Sequence, residues 1–358
     1  MDEDGTAAPA AGAAQAADAL LAYATALLGR SGLAPDRAAT VAEVLLEGDL
    51  LGHTTHGLAL LAPYLGELAS GSMRAEGEPE VVADRPAALT WDGRRLPGPW
   101  LVARAIEAAV PRARAAGTCT VVIRRSHHVA CLAAYLRRAT DRGLVVVLLS
   151  SDPNTASVAP FGGTRAVVTP NPIAAGFPTT GEPVLLDVST STTTNGLTGR
   201  LRAEGRRLDH PWVLDAEGRT TDDPAALFAD PPGTILPLGG LDSGHKGYAL
   251  GLLVEALTSA LGGFGRADPP EGWGASVYLQ LLDPAAFGGL DAFARETGWV
   301  ADAARASPPV PGGGPVRLPG ERGLALRARQ MAEGVRLHPS ILPALRPWAE
   351  RLGVGAMG

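Results

Sequence analysis

Four short stretches hold most of the side chains able to do chemistry. In "GDLLGHTTHGLALLAPYL" (48–65), His56 follows two threonines between glycines. Imidazole is the side chain whose ordinary pKa suits proton transfer near neutrality, and the Thr55 hydroxyl beside it can hold its tautomer or extend a proton relay. The same threonines also fit a cap for the next helix. In "RRSHHVACLAAYL" (124–136), His127 and His128 sit where a strand runs into a helix. Strand side chains alternate, so at most one of the pair faces a given cleft, and strand carboxyl ends are where open α/β sheets take ligands. The alternative is one exposed histidine and one buried hydrogen-bonding histidine. In "PVLLDVSTSTTTNG" (183–196), Asp187 ends an apolar strand. A carboxylate there can orient a histidine, or it can cap a following helix together with Ser189. "GGLDSGHKGYALG" (239–251) contains Lys246, the only lysine among 31 Lys and Arg residues. It lies at an expected helix start, where backbone N–H groups favour an anion. Its compact ammonium suits a phosphate or ribose oxygen. The competing reading is a surface lysine beside a flexible loop.

These residues need a framework, and the pattern supplies an α/β one. Amphipathic stretches at 16–29, 35–52 and 58–71 read as helices, and 87–93 as a short strand and turn. The segment 100–117 reads as a helix disturbed by Pro111. From residue 118 the elements alternate: strands at 118–126, 144–151, 165–172 and 183–189, with helices at 130–143 and 246–263. A later strand at 275–283 and helices around 324–335 and 341–353 close the chain. The Pro/Gly runs near 265–274 and 308–315 read as surface loops. The expected organisation is a loose tail over 1–14, a helical domain over 15–117, a mixed-sheet domain over 118–265, and a return to the first domain over 266–358.

Composition narrows the function classes. The 358 residues are 46% hydrophobic and 19% charged, which is ordinary for a globular protein. A net charge of −6 without a basic stripe argues against nucleic acid as a partner. No apolar run reaches the roughly 18 residues of a membrane span, and the opening "MDEDG" is acidic where an export signal is basic. The expected location is therefore cytoplasmic. Cys119 and Cys131 form no disulfide framework or metal motif and read as small core residues, so no metal is expected. No G-x-G-x-x-G follows a strand and no P-loop is present.

Taken in order, these stretches resemble the type 2 malate/L-lactate dehydrogenase family, which also contains ureidoglycolate and sulfolactate dehydrogenases and a piperideine carboxylate reductase. The resemblance is carried by "DLLGHTTHG", "RRSHHVA", "APFGG" with "TPNP", "DVSTS", "LPLGG" with "HKGYALGLLVE", and "LPGER". It implies a non-Rossmann, mixed-sheet dinucleotide-binding domain, a helical domain built from both chain ends, and a homodimer. It implies NAD or NADP as cofactor and a small-molecule substrate. It makes His128 the general acid/base, with Thr55, His56 and Asp187 as a supporting relay. Lys246, Gly247, Ser150, Thr169, Asn171, Gly320 and Glu321 would contact the cofactor.

Departures from the family pattern bear on substrate. Leu60 stands where the family carries an arginine that clamps the substrate carboxylate, forgoing a charge-assisted contact of about 1.5–3 kcal/mol. Either another arginine, such as Arg124 or Arg125, reaches in, or the substrate lacks that carboxylate. Ala130 replaces a preferred glycine, and Thr169-Pro170 precedes Asn171-Pro172 in place of Gly-Thr. The resulting expectation is an NAD(P)H-dependent reductase or dehydrogenase acting on a C=O or C=N carbon: a 2-oxo acid, a cyclic imine or an atypical substrate of a specialised pathway. The alternative is a catalytically impaired member that binds a dinucleotide or a partner. A hydrolase-like triad of Thr55, His56 and Asp187 is disfavoured, because no nucleophile elbow is present.

Overall fold

The computed structural model describes residues 13–357, so all but two residues of the expected tail lie outside the described residues. Helices α1 (Ala17–Arg30), α2 (Pro35–Leu50) and α3 (Leu61–Ser70) lead into strands β1 (Glu80–Arg85) and β2 (Ala88–Asp92) and helix α4 (Gly98–Ala116). Next come β3 (Thr118–Ser126), α5 (Ala133–Thr140), β4 (Val145–Ser151), β5 (Ile173–Phe177), β6 (Val184–Val188) and α6 (Asn195–Ala203). Three two-residue strands follow, β7 (Val213–Leu214), β8 (Thr220–Thr221) and β9 (Thr234–Ile235). The last elements are α7 (Gly240–Glu255), β10 (Ala275–Leu282), α8 (Leu290–Ala306), α9 (Glu321–Glu333) and α10 (Ile341–Leu352).

Seven strands form one mixed sheet in the order β1-β2-β3-β10-β4-β5-β6, and β8-β7-β9 form a small second sheet. Only β2–β3 is parallel in the large sheet. Strand β10, late in the chain, inserts between β3 and β4. Its residues Val277, Leu279 and Leu281 are fully buried, as a central strand requires. The main core runs from these strands into α1, α2, α4 and α10, so both chain ends pack into one hydrophobic body.

Three sequence expectations change. Helix α4 continues through Pro111: buried Ile106, Ala109 and Ala113 hold its inner face, offsetting one missing backbone bond. The strand expected at 165–172 starts instead at Ile173, because Pro170 and Pro172 lack the N–H a ladder needs. Only an isolated bridge from Val168 to Val158 survives upstream. Strand β1 and helix α8, not anticipated from the sequence, are both well formed.

Candidate active site

Helix α2 delivers Asp49 into the interior, where its Oδ2 accepts the Leu58 N–H at 2.6 Å. Residue 57 must be glycine for this: a Cβ there would meet Asp49 Oδ2 at 2.3 Å. Burial pushes the Asp49 carboxyl up to about 7, against the pull of the Leu58 N–H and the Arg200 charge. The connection thus anchored presents Thr55 and His56, whose Oγ1 and Nδ1 are 2.8 Å apart. Thr54, next to them, is held at its Oγ1 and carbonyl by Arg200, both at 2.7 Å. The arginine comes from α6, whose first turn is capped by the Thr194 side chain.

The tandem histidines, both just past the end of β3, part into different surroundings. His127 is fully buried, with its Nε2 3.1 Å from Glu67 Oε2, and desolvation drives its pKa down to about 4. His128 lines the cleft instead. The Tyr64 hydroxyl sits 2.9 Å from His128 Nδ1 and 3.0 Å from the His128 carbonyl. The Trp273 ring stacks on the imidazole at a 4.4 Å centroid distance, and the His56 ring lies 6.0 Å away. Burial, reinforced by His56 and His127, holds the His128 pKa well below the ordinary histidine value. Gly98 at the start of α4 is required here too, since a Cβ would meet the His127 and His128 carbonyls at 2.3 Å. Ala130 completes the bend at φ 58°, a backbone region that glycine adopts without strain.

Asp187, at the end of β6, caps α5 across space, not the helix that follows it in sequence. Its Oδ2 accepts the Ala133 N–H at 2.8 Å. Among the described residues no hydrogen bond joins it to His56, although its charge raises the His56 pKa against the larger effect of burial, which lowers it.

These groups line a cleft of about 1080 Å³, with Leu60, Ser150, Thr169 and Asn171 also in its walls. The Asn171 amide is spent on the framework: Nδ2 donates to the Gly251 carbonyl at 3.1 Å and Glu255 Oε1 at 3.0 Å, while Oδ1 accepts from Thr169 Oγ1 at 2.6 Å. Other residues singled out from the sequence lie elsewhere. Lys246 is exposed on α7 outside the cleft wall. Gly247 is buried against Leu238. Gly320 packs on Leu185, and Glu321 pairs with Arg305 at 2.6 Å and accepts the Leu318 N–H. Arg124 and Arg125 both bind the buried Asp92, at 3.0 and 2.5 Å, and neither lines the cleft. Sequence reasoning overlooked Asp49, Tyr64, Arg200 and Trp273. Tyr64 lay inside a quoted motif, whereas Trp273 was hidden in a segment that read as a surface loop.

A cleft of this size, partly apolar and lined by His56 and His128, has the make-up of a small-molecule site. Residues 16–346 match the malate/L-lactate dehydrogenase family model. The L-lactate dehydrogenase of Cupriavidus necator is 34% identical over 326 residues, 89% of this chain and 92% of that protein. The (2R)-3-sulfolactate dehydrogenase (NADP(+)) of Chromohalobacter salexigens is 34% identical over 87% of this chain and 91% of its own length. The crystal structure of delta1-piperideine-2-carboxylate reductase from Pseudomonas syringae superposes with a TM-score of 0.83 at 28% identity, covering 94% of this chain and 100% of that one. The chain belongs to the malate/L-lactate dehydrogenase family and is an NAD(P)-dependent oxidoreductase. Among the described residues, no helix is long and apolar enough to cross a membrane.

Proposed function

We propose that this chain reduces, or reversibly oxidises, a small carboxylate-bearing substrate at a C=O or C=N carbon, with His128 as the general acid/base. The observation that carries this is the environment of His128: one ring nitrogen engaged by Tyr64, one face covered by Trp273, and the ring set in the cleft wall. With its own hydrogen donated to the His128 carbonyl, the Tyr64 oxygen can accept Nδ1–H. That leaves the Nε2 lone pair to take a proton from an alcohol. The Ala130 N–H, at a longer 3.3 Å from Nδ1, favours the opposite tautomer more weakly. Once protonated, the ring returns the proton from Nε2 to the forming alcohol or amine. Thr55 and His56 stand behind it as the supporting pair, with Asp187 biasing His56 through its charge.

The cleft fits a nicotinamide dinucleotide, being larger than the roughly 300–1,000 Å³ of ordinary small-ligand sites and walled by Ser150 and Thr169. A bound nicotinamide would supply or accept the hydride. We assign its holding to the mixed-sheet middle of the chain, a non-Rossmann arrangement, and to Lys246 from α7. Leu241, Leu250, Leu252, Leu253 and Leu261, on α7 and its continuation, are 40–60% exposed in the single chain. Their exposure supports a homodimer whose interface contains α7 and brings Lys246 toward a cofactor.

The missing arginine at position 60 has a local substitute. Arg200 lines the inner cleft, bonded to Thr54 beside the relay, and we assign it the substrate carboxylate. Leu60 also favours a second reading, a member that binds a dinucleotide but no longer turns over substrate. Fluorescence titration with NADH and NADPH, followed by reduction assays on 2-oxo acids and cyclic imines, separates the two. Dinucleotide binding with turnover supports the first; binding without turnover on any carbonyl or imine supports the second. Absence of binding by folded protein refutes both.

A further inference from the structure

His53, Cys131 and Asp187 converge on one wall of the cleft from three parts of the chain: the α2–α3 connection, the segment between β3 and α5, and the end of β6. Their ligand atoms all lie within 4.8 Å of one another, and Cys131 Sγ is 3.7 Å from Asp187 Oδ2. Nothing in the proton-transfer scheme uses His53 or the thiol. We propose that these three side chains form a binding site for a thiophilic divalent cation, zinc foremost, with a fourth position open to the cleft.

The donor set selects the metal class. One thiolate, one imidazole and one carboxylate match zinc, whereas magnesium and calcium require mostly oxygen ligands. Metal–ligand bonds of about 2.0–2.3 Å place tetrahedral ligand atoms about 3.3–3.8 Å apart. Closing from 4.8 Å therefore takes side-chain movements of about 1 Å, without backbone rearrangement. Thiolate and carboxylate together carry two negative charges, which neutralise the cation. Without metal the thiol keeps its proton, because burial and the neighbouring Asp187 charge push its pKa well up. On binding, the S–H bond breaks, a sulfur–metal bond forms, and one proton leaves to solvent for each cation bound. No oxidant or reductant is involved. Asp187 Oδ2, the oxygen facing Cys131 Sγ, can accept the Ala133 N–H with one lone pair and offer another to the metal.

The test is titration of the chelator-stripped, tag-free chain with Co²⁺, followed by absorbance and then displacement by Zn²⁺. The wild type is expected to bind one Co²⁺ per chain, with a thiolate-to-cobalt charge-transfer band and the visible bands of a four-coordinate ion. Cys119 is buried in β3, and Cys119→Ser should keep both. Cys131→Ser should lose the charge-transfer band while circular dichroism shows it folded, and His53→Ala should bind at least tenfold more weakly. A wild type without the sulfur band, or a band that survives Cys131→Ser, overturns the site. Should Cys131→Ser fail to fold, undiminished affinity in His53→Ala overturns it instead.

Discussion

Asp49→Asn tests whether the carboxyl that anchors the Thr55–His56 connection is a costly buried acid. The carboxyl is 3% exposed, one oxygen holds the Leu58 N–H and the other has no hydrogen-bond partner. In the unfolded chain this group ionises near 3.8; in the folded chain it stays protonated until about 7. Its folded pKa is raised, so the stability it contributes is present below pH 3.8 and is lost as pH rises through 7. About three pKa units at roughly 1.36 kcal/mol each set the upper bound of that loss near 4 kcal/mol. Asparagine keeps an acceptor for Leu58 and never ionises. The stability of the variant minus that of the wild type should therefore rise by about 2–4 kcal/mol between about pH 4 and about pH 8. His127, whose depressed pKa costs stability in the opposite direction as pH falls from 6.5 towards 4, is common to both proteins and cancels. Urea unfolding followed by tryptophan fluorescence at steps across that range measures the difference. A difference independent of pH would refute the claim that Asp49 is forced towards its neutral form.

His128→Gln should lower turnover by about 10²–10⁴-fold while dinucleotide affinity, read by fluorescence titration, stays within about twofold; retained turnover removes His128 from the acid/base role. Because burial depresses the His128 pKa, kcat/KM for alcohol oxidation should hold on descending through pH 6.5 and fall only below it, and a fall centred above that value contradicts the assignment. Arg200→Gln should weaken kcat/KM for a carboxylate substrate by roughly 10–150-fold, the loss of a contact worth about 1.5–3 kcal/mol, with far less effect on an uncharged analogue. Ala130→Gly relieves a positive φ and should raise stability by about 1 kcal/mol in urea unfolding; a destabilised variant would show that the bend is not strained.

Chemistry was more legible in the sequence than placement. His128 and the Thr55–His56 pair could be singled out because imidazole and hydroxyl types stand out against an alanine-rich background. That only one of His127 and His128 faces the cleft agrees with the structure, but both lie past the end of β3, where strand alternation does not apply. Asp187 was readable as a helix cap, but its helix, α5, precedes β6 in the chain, and no local spacing reveals a cap made across space. Trp273 escaped for a similar reason. It sits among prolines and glycines, and its partner His128 is brought near only when β10 inserts beside β3. Arg124 and Arg125 looked available to replace the missing clamp because their counter-charge, Asp92, belongs to another strand. Helix α8 was hidden by its own composition: Trp299 and Val300 are 70% and 60% exposed, which blurs the apolar stripe that normally marks a helix.

The position of Leu60 bears on substrate through what surrounds it. A leucine leaves position 60 without a charge, while Arg200 lines the same cleft, bonded to Thr54 and close enough to bias both Asp49 and His56. On the proposed reading, Arg200 on α6 supplies the positive charge that position 60, at the start of α3, lacks. A carboxylate drawn to Arg200 would bring its adjacent carbon into the cleft from a different direction than an arginine at position 60 would impose. Side-chain volume at residue 60 then becomes available to the substrate's remainder. The cleft should therefore accept acids with a bulkier apolar substituent than one carrying an arginine at position 60. Restoring the charge with Leu60→Arg should narrow the range towards small 2-oxo acids, with the gain in kcat/KM confined to those.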